Sequence, residues 1–160
     1  MRVLHPKIDL TQTPVRSGSR YPRRFQQVNG NIPARQWQEV GQGLTVFAAN
    51  RVVMPPGAAS SLRHYHTHED ELVVVLSGEL VMLTDEGETR MSAGDIASFP
   101  KGVPNAHCFV NRSSEPAVFI AVGNNHEDDE CFYPDVGMRA ETQTRGGRRV
   151  SLETGEPFPD

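Results

Sequence analysis

From Leu44 to Val122 the chain sets short apolar stretches between turn-forming clusters, at a spacing too tight for packed helices. Leu44 to Met54 is rich in β-prone residues and runs into Pro55-Pro56-Gly57, a strong turn signal. Leu72 to Ser77 is closed by Gly78, Glu79 to Thr84 by Asp85-Glu86-Gly87, and Glu88 to Ser92 by the Gly94-Asp95 turn. Ile96 to Phe99 precedes Pro100-Lys101-Gly102, and Ala106 to Asn111 and Ala117 to Val122 complete the set. Within Glu79 to Thr84, Leu80 and Met82 alternate with Val81 and Leu83, so both faces are apolar, as in a strand packed on both sides. No segment between 44 and 122 has the caps and length of an amphipathic helix. The pattern predicts an all-β sandwich or barrel.

The flanks read differently. Residues 1 to about 40 are rich in Pro, Arg, Gln and Gly and hold no sustained period, which predicts an irregular arm with one short strand. After Asn124 the chain turns acidic through Glu127, Asp128, Asp129 and Glu130, then reaches Cys131-Phe132-Tyr133-Pro134, aromatics suited to docking a returning segment. Beyond about Gly146 a mobile tail is expected. The predicted organisation is an arm over 1–42, a core over 43–124 and a C-terminal extension over 125–160 that packs on the core or trails from it.

Composition narrows the class without naming it. At 160 residues, with 37% hydrophobic and 22% charged positions, the chain suits one ordinary globular domain. No apolar run approaches the ~20 residues of a membrane span. Met1 to Thr13 does not resemble a secretory leader, so the default expectation is the cytoplasm. A net charge of −4 argues against nucleic acid and anionic membranes as partners. Arg16, Arg20, Arg23 and Arg24, and Arg145, Arg148 and Arg149, read as solvated terminal segments. Cys108 and Cys131 have no paired spacing and read as independent reduced thiols.

The sharpest chemical signal is His64-Tyr65-His66. In an extended strand alternate residues share a face, so the two imidazoles form a chelating pair. Glu71 adds a carboxylate if the chain bends or bulges between, and His107 is the candidate third imidazole from a neighbouring strand. Three nitrogens and one oxygen suit one divalent transition ion, Mn, Fe, Ni, Co, Cu or Zn, and leave coordination positions open to substrate or water. Asp70 competes with Glu71, while His68 reads as solvent-facing or as support for a ligand, and His126 as surface. Arg63 is a surface arginine, with an anionic substrate at the barrel mouth as the alternative.

These residues resemble the two motifs of the cupin superfamily. Gly57, His64, His66, Glu71 and Gly78 follow the first motif, with four residues from His66 to Glu71 and six from Glu71 to Gly78, but six rather than five between Gly57 and His64. Gly94, Pro100, Gly102, His107 and Asn111 follow the second, except that four residues rather than two precede His107 and Asn105 takes the usual histidine position. An excess of two keeps side-chain parity, so His107 still faces inward. The resemblance covers residues 43 to 122 closely, and more loosely the Tyr21-Pro22 arm and the Tyr133-Pro134 tail.

The resemblance implies a double-stranded β-helix, or jelly-roll, with at least eight strands between residues 43 and 124. It implies a metal held by His64, His66, Glu71 and His107 and a small-molecule ligand or substrate. Cupin chemistry spans sugar or sugar-phosphate isomerases and O₂-dependent dioxygenases, which stand level here, and non-catalytic binding or sensing modules form a second class. No internal base is evident, since Lys7 and Lys101 are the only lysines and Lys101 lies in a turn. A homodimer is expected, with the 1–40 arm or an edge strand covering the partner's sheet.

Overall fold

The computed structural model describes residues 7–141 and 147–159; His5 and Arg145 lie outside them. Eight strands fall within the expected core: β3 (Phe47–Met54), β4 (Tyr65–His66), β5 (Glu71–Ser77), β6 (Glu79–Thr84), β7 (Gly87–Ser92), β8 (Ile96–Phe99), β9 (Cys108–Val110) and β10 (Ala117–Asn124). The arm adds β1 (Arg16–Ser17) and β2 (Gln36–Glu39), and the C-terminal extension adds β11 (Glu130–Tyr133), β12 (Met138–Glu141) and β13 (Arg149–Ser151). The all-β jelly-roll expected from the sequence is the observed fold.

One layer is a six-stranded antiparallel sheet in the order β1-β2-β3-β10-β5-β8. Facing it are the three-stranded β7-β6-β9 and the four-stranded β13-β12-β11-β4. The sheets do not close into a continuous barrel. They are stitched by isolated bridges, Ala59 with Val110 and His64 with His107, where residues 58–64 run beside β9 without a full ladder.

Alternation sets what is buried. On β5, Val73 and Val75 are at most 1% exposed, while Leu72 and Leu76 face out. Val73, Val75, Leu80, Met91, Phe109 and Phe119 fill the space between the layers. A second cluster of Ile32, Leu62, Cys131, Tyr133 and Met138 lies under the arm and the C-terminal extension. The chain beyond residue 146, expected as a tail, contributes β13, whose Val150 is buried, and Phe158, which packs near Phe25. Arm and extension thus cap one end of the jelly-roll, and Tyr21 meets Tyr133 edge to face at 5.4 Å.

Gly78 shows why the turn between β5 and β6 accepts no side chain. Its φ is +74°, and an added Cβ would stand 2.7 Å from the Pro116 carbonyl oxygen and 2.8 Å from Ala117 Cα. Gly78→Ala should therefore cost about 3 kcal/mol through left-handed strain and backbone collision. An unchanged denaturant midpoint would refute that account.

Candidate metal centre

Backbone pairing places the first two imidazoles. His64 N–H donates to the His107 carbonyl at 3.1 Å, and His107 N–H returns to the His64 carbonyl at 2.9 Å. Residues directly opposed in an antiparallel bridge project their side chains to the same side. The two rings accordingly lie 4.7 Å apart. Glu71, the first residue of β5, reaches the same point: its Oε2 is 3.0 Å from His107 Nε2 and 3.7 Å from His64 Nε2. The 3.0 Å separation falls at the donor-to-donor edge of a shell with metal–ligand bonds near ~2.1 Å, whose edges run at roughly 3.0–3.4 Å, and the 3.7 Å separation is a few tenths of an ångström longer.

His66 stands beside this triad, its ring 5.2 Å from that of His64. Its donor atoms fall outside the tight His64–Glu71–His107 grouping and instead join His64 with Cys131, and Glu69 with Asp129. The cause lies in β4, which pairs with β11, so that His66 is held opposite Cys131. His66 Nδ1–H donates to Asp129 Oδ2 at 2.7 Å.

The hydrogen bonds assign the tautomers, because a carbonyl or carboxylate oxygen can only accept. His64 Nδ1 lies 3.0 Å from the Leu62 carbonyl and His66 Nδ1 faces Asp129, so each neutral ring keeps its proton on Nδ1. Each Nε2 is then a lone pair. For His64 that lone pair faces the Glu71 carboxylate, an arrangement that a cation between them would reconcile. His107 is 2% exposed, stacked on Phe99 at 3.4 Å between centroids, and its buried Nδ1 has no partner among the described residues. The donor set therefore fits a divalent ion.

Electrostatics favours the ligand-competent forms at two positions. Burial lowers the His64 pKa and keeps the ring neutral, against the opposing pull of Glu71. Burial would raise the Glu71 carboxyl, but the hydrogen bond from His107 and the imidazoles of His107 and His64 beside it outweigh burial and hold the group well below the usual carboxylate range. His66 goes the other way: burial disfavours its charge, yet Asp129 and the nearby Glu71 and Glu69 carboxylates raise its pKa. Burial also raises Glu69, whose Oε2 is 3.7 Å from His66 Nδ1.

The competing candidates have other work. Asp70 Oδ1 accepts the Lys101 N–H at 2.9 Å, which ties the two motif loops together and leaves Glu71 to face inward. Asn105 Oδ1 accepts the Asp85 N–H at 3.0 Å, away from the triad. His68 is exposed and stacks on the exposed His126 at 4.9 Å. Arg63 binds Asp135 through Nε and Nη2 at 2.8 and 2.6 Å and Asp85 through Nη1 at 2.7 Å. It ties the C-terminal extension to the β6–β7 turn. Cys108 and Cys131 are free and buried, and burial pushes the Cys108 thiol up to about 12.

Two groups escaped the sequence reading. Asp129 sits in a run of four acidic residues to which the sequence reading assigns no role, and it is 3% exposed. Arg35 carries no motif at all. The triad lies between an inner cavity of about 260 Å³, lined by Arg35, Trp37, Asn50 and Ser60 among others, and an open cleft of about 700 Å³ lined by Glu69, Asp129 and Tyr133.

A cupin-domain family model matches residues 50–123. The crystal structure of a sugar phosphate isomerase of the cupin superfamily from Silicibacter pomeroyi is 39% identical, over 96% of this chain and 97% of that one, with a TM-score of 0.85. A putative sugar phosphate isomerase from Acidithiobacillus ferrooxidans shares the fold at 24% identity and TM-score 0.71, over 79% of this chain and 81% of that one. A polyketide cyclase from Streptomyces resistomycificus shares it at 17% identity and TM-score 0.60, over 76% and 80% of the two chains. No curated protein sequence matches. The chain belongs to the cupin superfamily.

Proposed function

We propose that this cupin is a metal-dependent enzyme that isomerises a small sugar or sugar phosphate, its ion held by His64, His66, Glu71 and His107. The observation that carries the reading is the convergence of His64 Nε2, His107 Nε2 and the Glu71 carboxylate at the wall of the inner cavity. The full-length likeness to a sugar phosphate isomerase at 39% identity favours isomerisation over oxygen chemistry. A divalent ion there would polarise a substrate carbonyl or hydroxyl.

The chain's own groups supply the rest. Isomerisation needs a group to carry a proton between neighbouring carbons. Glu69, beside His66 in the cleft that His64 also lines, is our candidate for it in the absence of an internal lysine. Val52, Phe109 and Phe119 supply the apolar part of the inner cavity's wall. Elemental analysis of purified protein, followed by isomerisation and oxygen-uptake assays, tests the reading. One bound metal with aldose–ketose interconversion is the expected result. Iron with substrate-dependent oxygen uptake would make it an oxygenase, and tight binding without product would make it a sensing module.

We also infer a homodimer through the outer face of the six-stranded sheet. Leu72 and Leu76 on β5, Ile96 on β8 and Phe47 on β3 are 41–63% exposed on that face. A monomer mass by sedimentation at micromolar concentration would remove this inference. No helix among the described residues is long and apolar enough to cross a membrane. Two free thiols suit a reducing compartment, so we place the chain in the cytoplasm, which cell fractionation checks.

A further inference from the structure

Arg35 is a cation on the wall of the inner cavity with no carboxylate to balance it. It follows the turn at Ile32–Ala34 and precedes β2, where the arm closes over the jelly-roll. Its guanidinium donates to the Ser60 carbonyl and lies over the Trp37 ring, 5.1 Å from the centroid. Its Nε is buried and has no partner among the described residues. No described acidic residue forms an ion pair with it, although arginines elsewhere in the chain (Arg63, Arg112, Arg139 and Arg148) all have carboxylate partners. Burying a guanidinium without a counter-ion is costly, and one carbonyl and one aromatic face compensate it only in part.

We propose that Arg35 is the anion-recognition residue of this site, binding the phosphate or carboxylate group of a small polar substrate whose other end reaches His64, Glu71 and His107. The proposal rests on the isomerase reading only for the role of that other end. The shared cavity carries it: Arg35 and the three metal-site residues line the same space of about 260 Å³, and Asn50, Ser60 and Ser61 on the same lining offer polar groups for hydroxyls. A guanidinium matches the oxygens of a phosphate or carboxylate in charge and in donor geometry. Trp37 holds the guanidinium plane, so little freedom is lost on binding. Burial lowers the Arg35 pKa without discharging a group of this basicity.

The test titrates full-length protein with inorganic phosphate, and in parallel with acetate, by calorimetry. Metal content is measured on the same samples of wild type, Arg35→Met, Arg35→Lys and Glu71→Gln. Phosphate or acetate should bind wild type and Glu71→Gln, and bind Arg35→Met at least about tenfold more weakly. Arg35→Lys should recover part of the loss, since it keeps the charge and loses the donor geometry. Whichever anion binds more tightly identifies the substrate's charged group. Arg35→Gln replaces the methionine variant if that fails to fold. Anion affinity that survives Arg35→Met but vanishes in Glu71→Gln would place the anion at the metal centre and overturn the proposal, leaving the proposed function standing. Loss of binding in Arg35→Met with no metal in any sample would sustain the proposal and sink the metal-dependent function. Wild-type protein that binds neither anion overturns the proposal outright.

Discussion

Glu71→Ala, His64→Ala, His66→Ala and His107→Ala should each lower the metal content of reloaded protein sharply, whereas His68→Ala and His126→Ala should leave it nearly unchanged. The Glu71 variant should lose most, because its oxygen is the group that both His64 Nε2 and His107 Nε2 face. It is also the anionic ligand, which a divalent ion bound by neutral imidazoles alone would lack. His68 and His126 are exposed and stacked on each other, so neither reaches the inner triad. Metal release on acidification gives a second readout. A histidine must be neutral to bind a metal, and burial lowers the His64 pKa from the usual 6.5. His64 therefore stays ligand-competent below pH 6.5, and release governed by it falls under that value. Elemental analysis across a pH series measures both effects. An emptied site in His68→Ala with a full one in His64→Ala would show that the ligand register has been misread.

Local chemistry made the core strands readable. The stretches expected at 79–84 and 96–99 form β6 and β8 with the same bounds, and 72–77 differs from β5 by one residue. In each, a short apolar stretch is followed by a turn whose glycine or proline acts on its nearest neighbours alone. His107 was legible for a related reason: a two-residue excess keeps the face, and the structure sets His107 opposite His64. β2 was not. Gln36-Trp37-Gln38-Glu39 has one aromatic and no apolar alternation, because it extends the sheet at the β3 edge and takes its order from that pairing. The extension was opaque for the same reason at longer range. Only the pairing of β11 with β4 brings the acidic run beside His66. Arg35 enters the cavity through the fold of the arm, which no local pattern records.

Asp129→Asn should weaken metal binding about 10–100-fold while leaving every proposed ligand in place, the usual cost of removing the acceptor that orients a ligating histidine. Asp129 Oδ2 accepts the His66 Nδ1–H at 2.7 Å, and Oδ1 accepts the His68 backbone N–H at 2.8 Å. One carboxylate thus fixes both the His66 ring and the loop that leads to Glu71. An asparagine keeps the shape, but it removes the charge and can turn an N–H toward the ring. The metal-free protein should report the same contact through pH. Burial would raise the Asp129 pKa, but bonds from His66 and the His68 N–H depress it below the usual 3.8, so its stabilisation is full above that value and lost as pH falls through the folded pKa. The His66 pKa is raised above 6.5, so its share is full below 6.5 and lost as pH rises through the folded pKa. Both contributions coexist only between about pH 4 and 6.5. The stability gap between wild type and Asp129→Asn, by urea unfolding with chelator present, should therefore be larger at pH 5 than at pH 8. A gap of about 1–3 kcal/mol is expected for a buried, charge-assisted hydrogen bond. An equal gap at both pH values, or unchanged metal affinity, would show that Asp129 does not hold His66 for the metal.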